Sequence, residues 1–255
     1  QDDRTIFRRG QYADIDVETY GTTDPILNIQ AKHTFNGGAV TIALPLSAQP
    51  PAPGTWGCQI LSRRNGPLHP GGPITPPTRV ARLRLYTPAD APVGQYTFSA
   101  VVRDANNAIV AELAFPKPVV LLFNPWEPAD GTSLVIDAER NEYVLNEQGV
   151  MWQGTARSNS PKAWGYGQFR KDVFLGTLGL LDGLNAAQRS SPVTVARWLS
   201  AKIDANDGGV LVGNWSSNYS GGTSPLSWSS SEPIFAQYLT AGSVNYGHCL
   251  LYTSD

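Results

Sequence analysis

At 255 residues, 41% of them hydrophobic and 16% charged, the chain has a globular composition with room for one large or two medium domains. A net charge of −2 leaves no basic footprint for nucleic acid. The longest clean apolar run, residues 119–123, is far too short for a transmembrane helix.

Residues 1–124 read as β structure. Residues 4–20 open the pattern with Ile6, Ile15 and Val17. Residues 39–46 put Val40, Ile42 and Leu44 on one face. Residues 79–86, 95–102, 108–115 and 119–123 continue it. Turn signals stand between them: Asn36-Gly37-Gly38, the Pro-rich loop from Pro50 to Gly54, and the stretch from Pro67 to Pro77. Short strands at this spacing predict a β-sandwich. Residues 123–131, with Pro125, Pro128 and Asp130-Gly131, read as a linker or domain boundary.

Helical signals follow. Residues 172–184 carry Val173, Leu175, Leu178, Leu181 and Leu184 at roughly helical spacing. Ser191 with Pro192 caps a second helix that carries Val193, Ala196, Leu199 and Ile203. Ser231 caps a third, with Pro233 in its first turn and Ala241-Gly242 at its end. Residues 142–145 and 210–212 read as short extended segments. Residues 125–255 are thus an α/β or α+β half.

Several segments, taken in order, resemble animal transglutaminases. They are Phe7-Arg8-Arg9-Gly10-Gln11, Leu121-Leu122-Phe123-Asn124-Pro125-Trp126, Asn141-Glu142-Tyr143-Val144-Leu145-Asn146 and Trp164-Gly165-Tyr166-Gly167-Gln168-Phe169. Ser191-Pro192-Val193, residues 210–215, residues 224–228 and Tyr246-Gly247-His248-Cys249 complete the run. The resemblance implies a multidomain β plus α/β fold. An N-terminal immunoglobulin-like β-sandwich (1–124) would be followed by the truncated first part of a papain-like catalytic core (125–255).

The implied reaction is acyl transfer between proteins. The Cys249 thiolate attacks the carboxamide of a protein-bound glutamine, ammonia leaves, and a lysine or small amine takes the acyl group from the thioester. Trp215 stands where the family's indole N–H donates to the oxyanion, with the backbone N–H of Cys249 as second donor. Indole only donates, so it does not compete as a base. Trp228 reads as a core tryptophan or a wall of the substrate tunnel.

Calcium is the activator the resemblance implies. The matching loop offers the Ala201 carbonyl and the side chains of Asp204, Asn206 and Asp207, the oxygen donors a hard cation takes. That segment is one residue shorter than the family's loop, and Gly208 stands where an acidic ligand is expected. The other reading of it is a solvated turn after a helix. Arg157-Ser158 replaces the family's Lys-Phe pair, so guanine-nucleotide binding is not predicted.

A thiol nucleophile needs a base. His33 and His69 lie in the β half, and His248 adjoins Cys249, where helical neighbours point about 100° apart. The family's catalytic His and Asp lie further downstream, so residues 1–255 alone are expected to be inactive. After Gly247, His248 replaces the family's Gln and Leu250-Leu251-Tyr252 its Trp-Val-Phe. The two readings are divergence, or a junction with 247–255 as a non-native tail. The alternative function is a non-catalytic scaffold on the same fold. Two cysteines make no disulfide framework, and residues 1–25 lack a secretory signal pattern. A cytoplasmic location is therefore expected, with unconventional export as the other route.

Overall fold

The computed structural model describes residues 4–20, 26–35, 37–66, 78–104, 106, 108–155, 157–213 and 218–245. They fall into two compact units. One runs over Asp3–Val135 and takes back Leu184–Pro192; the other holds Ile136–Gly183 and the chain from Val193 onward.

The first unit is built from β1 (Thr5–Arg8), β2 (Tyr12–Tyr20), β3 (Ile26–Phe35), β4 (Gly38–Leu44), β5 (Leu46–Ser47), β6 (Gly57–Asn65), β7 (Thr78–Tyr86), β8 (Gly94–Arg103), β9 (Ile109–Ala114) and β10 (Val119–Leu122). One sheet runs β1-β10-β8-β3-β4, with β9 also on β8; the other runs β2-β7-β6-β5. Alternate residues point inward, as period 2 requires. Ile29 and Ala31, Tyr96, Phe98 and Ala100, and Val119 and Leu121 come from the first sheet. Leu83 and Leu85, Val17 and Cys58 meet them from the second in one buried cluster. Burying each large side chain of this kind contributes about 1.5–3 kcal/mol. Burial also pushes the Cys58 thiol up to about 12, so it stays protonated and inert.

A polar lock ties the start of the chain to the end of this unit. The parallel pairing of β1 with β10 sets Phe7 opposite Leu121 and Arg8 opposite Leu122. Arg9 then lies buried at 1% exposure. Its guanidinium reaches Asp130 in a forked pair at 2.6 and 3.0 Å, and donates to the Ala91 and Ser190 carbonyls. Asn124 closes the lock: its backbone N–H donates to Asp130 and its amide to the Arg9 carbonyl.

The second unit begins with α1 (Asp137–Arg140), which runs straight into a π-helical turn, Asn141–Leu145. Residues 142–145 are therefore helical rather than extended. The antiparallel hairpin of β11 (Gln148–Thr155) and β12 (Ser158–Gly165) comes next. Then follow α2 (Lys171–Leu180), α3 (Ala186–Ser190), α4 (Pro192–Ala201), β13 (Leu211–Val212), α5 (Glu232–Ala241) and β14 (Val244–Asn245). The stripe over 172–184 thus divides: α2 ends at Leu180 and Leu181–Gly183 tighten into a 3-10 turn. The α3 segment, with an Asn185–Gln188 capping box, belongs to the first unit.

Candidate functional site

The core of the second unit is small. Leu180, Val210, Leu211, Trp228 and Ile234 are buried together, and Trp164, Leu199, Phe235 and Tyr238 pack against them. Beside this cluster opens a cavity of about 650 Å³. Its walls are chiefly apolar, with Trp152, Trp164, Leu180 and Phe235 among them and Lys202 and Ser231 as polar contributors.

The predicted helix of residues 232–241 is present, but its cap differs. Ser231 has helical backbone angles and makes no side-chain cap bond. Its hydroxyl instead accepts the Trp164 indole N–H at 3.2 Å, while its backbone N–H donates to the Gly165 carbonyl. The hydroxyl therefore ties α5 to the hairpin. At the far end, Gly242 takes a φ of 79° and its N–H donates to the Tyr238 carbonyl, a glycine helix stop. Lys162 on β12 adds a second tie. Its ammonium donates to the Leu226 and Trp228 carbonyls at 2.6 and 2.7 Å, pinning the turn Pro225–Ser227. Trp228 is 3% exposed, in keeping with a core tryptophan.

The loop read as a calcium site is folded onto itself. The Ala201 carbonyl accepts from the Asp204 N–H, that of Lys202 from Val210, and that of Ile203 from Leu211. The Asp204 carbonyl accepts from both Asp207 and Gly209. The Asp204 side chain accepts the Asn206 N–H at 2.9 Å, a turn-stabilising bond. The Asp207 carbonyl accepts from the Lys202 ammonium, which also lies 4.5 Å from the centre of the Trp198 ring. A β-carbon on Gly209 would stand 2.0 Å from the Lys202 carbonyl oxygen, so the loop closes this tightly only with glycine there. Among the described residues no three His, Cys, Asp or Glu side chains gather as a metal cluster. Calcium takes about six to eight oxygen ligands. The carbonyls of 201–204, engaged by N–H groups within 204–211, and the Lys202 ammonium on the Asp207 carbonyl do not fit that need.

Cys249 and Trp215 lie outside the described residues. The strands that lead to them are described. β13 pairs in parallel with β14, Leu211 opposite Val244 and Val212 opposite Asn245. The two strands therefore end side by side and point the same way, with Trp215 three residues beyond one end and Cys249 four beyond the other. The Ser243 hydroxyl donates to the Gly209 carbonyl at 2.7 Å and ties the approach of β14 to the loop before β13. Lys162 and Lys202 were not legible as site residues. Each reads in sequence as a solvated lysine, and only the fold brings its ammonium to backbone carbonyls.

No protein-family model matches the chain. Among characterised proteins it is 39% identical over 184 residues to protein-glutamine gamma-glutamyltransferase 2 of Bos taurus, covering 68% of this chain and 26% of that protein. It is 33% identical over 209 residues to protein-glutamine gamma-glutamyltransferase E of Bos taurus, covering 77% of this chain and 28% of the relative. With protein-glutamine gamma-glutamyltransferase K of Homo sapiens it shares 39% identity over 176 residues, 67% of this chain and 21% of that one. The chain thus spans about a quarter of the length of these relatives. Among solved structures, red sea bream transglutaminase matches 98% of this chain and 37% of its own at a TM-score of 0.77 and 28% identity.

Proposed function

The chain belongs to the animal transglutaminase family, and from that premise we propose that it builds part of a protein cross-linking acyltransferase. In this reading Cys249 is the nucleophile. Its sulfur forms a bond to the amide carbon of a protein glutamine, the carbonyl oxygen becomes an oxyanion, and the C–N bond breaks to release ammonia. The amine of a lysine or a small amine then attacks the thioester, forming the isopeptide bond and freeing the thiol. The Trp215 indole and the Cys249 backbone N–H hold the oxyanion.

The observation that carries the reading is the parallel β13–β14 pair. Its two strands end side by side and run the same way, three residues before Trp215 and four before Cys249 in sequence. We read the two-sheet unit as the immunoglobulin-like sandwich and the second unit as the first part of a papain-like core. Calcium belongs to the proposal as the family's activator, and the 201–209 loop is not where the proposal places it. We place the protein in the cytoplasm, in keeping with two cysteines that make no disulfide framework.

The test is incorporation of a labelled amine into a glutamine-rich protein by the full-length enzyme. Cys249→Ala is expected to abolish incorporation, and Trp215→Phe to lower kcat about 10²–10³-fold with little change in KM. Residues 1–255 alone are expected to give none, because in sequence His33 and His69 belong to the β half and His248 adjoins Cys249. Full activity in the Cys249→Ala protein would refute the nucleophile assignment. Inactivity of the unmodified full-length protein would favour the scaffold.

A further inference from the structure

We infer that Lys202 clamps the 201–209 loop from within the chain, its ammonium on the Asp207 carbonyl, so that the loop holds its shape without a divalent cation. Three features converge on this. The Lys202 ammonium lies on the Asp207 carbonyl and against the Trp198 ring, two partners that both favour a cation. The carbonyls of residues 201 to 204 each accept an N–H from within 204–211, so the backbone oxygens a hard cation seeks are already engaged. Gly209 is drawn in so closely that a β-carbon there would stand 2.0 Å from the Lys202 carbonyl oxygen and 2.6 Å from that of Asp204. A calcium ion seated on these oxygens would meet the fixed ammonium as a like charge.

The consequence reaches the site. The Lys202 and Ile203 carbonyls hold Val210 and Leu211, and Leu211 begins β13, the strand that leads to Trp215. The lysine therefore sets the position of that strand constitutively, where a metal-held loop would make it depend on calcium. The inference concerns the loop alone and does not rest on the acyl-transfer reading, since neither readout below uses turnover.

The test titrates calcium into the purified chain by calorimetry and follows thermal unfolding in chelator and in millimolar calcium. The wild-type chain is expected to show no saturable calcium heat and no shift in Tm. Lys202→Met, which keeps the aliphatic stem and removes the charge, is expected to lower Tm in chelator by about 2–4 °C. Lys202→Arg, which keeps the charge, is expected to stay near wild type. Should the methionine variant fail to fold while the arginine variant folds, the charge requirement is supported by that alone. Saturable calcium binding by the wild type that Asp204→Asn abolishes would overturn the inference. A methionine variant as stable as the wild type would overturn it equally.

Discussion

Arg9 and Asp130 show how much can hang on one pair of side chains. Both are nearly inaccessible, and every hydrogen bond of the fork is internal. Burial by itself would raise the Asp130 carboxyl. The Arg9 guanidinium, the Thr132 and Asn124 backbone N–H groups and the Thr132 hydroxyl outweigh it and hold the group below the usual carboxylate range. Asp130→Asn leaves a buried guanidinium without its counter-charge, a change that costs about 3–5 kcal/mol. Urea unfolding at neutral pH is expected to show that loss. A carboxylate depressed in the folded state contributes stability above its unfolded pKa of about 3.9 and loses it as pH falls through the lower folded value. The gap between wild type and Asp130→Asn is therefore expected to narrow below about pH 4. The pair was legible only in part: Arg9 and Asn124 lie in segments singled out by their resemblance, but no local pattern says that they meet at Asp130.

At the scale of elements, legibility followed burial. Residues 79–86 and 95–102 stood out because each buries alternating side chains in one core, and 119–123 because it is a continuous apolar run in which Val119, Val120 and Leu121 are all buried. The β11–β12 hairpin was not foreseen. Its strands carry Gly, Gln, Ser and Asn with Pro161 inside, and a free two-stranded ribbon tolerates a proline that a central strand would not. Residues 142–145 looked extended because Tyr143 and Val144 favour strands. They continue instead from α1, with Tyr143 and Leu145 exposed, so local helix propagation decides. The 201–209 loop was recognised as an element, while its closure by a lysine was not, because a lysine after a helix carries no signal of its partner. Gly209→Ala tests the closure from the steric side. With backbone oxygen 2.0 Å from the new methyl, the loop must shift, and a loss of about 1–3 kcal/mol is expected in thermal unfolding.

For the molecule as a whole, the division into units departs from the order of the chain. Leu184–Pro192 arrives long after the last β strand of the first unit, yet belongs to it. Arg189 there is buried, the Val93 N–H donates to its carbonyl, and the Ser190 carbonyl receives Arg9. Residues 123–131, which read as a linker or domain boundary, lie inside the first unit, which runs on to Val135. No such signal marks 184–192, because its tie is made through a few carbonyls and one arginine. A protein ending at residue 135 keeps every strand of both sheets but loses those contacts. It is expected to unfold at a lower urea concentration than the full chain's first unit, measured by near-ultraviolet signals of Trp56 and Tyr96 in the sheet core.

The β13–β14 pair joins two strands of two residues each across a long stretch of chain. So short a ladder has no stability of its own and exists only while the loop before it and the helix behind it are in place. Damage in the supporting residues would then be felt as a misaligned pair of strand ends well before the sheets of the first unit register any loss. In such a layout the register of those two strand ends is more perishable than either sheet of the first unit.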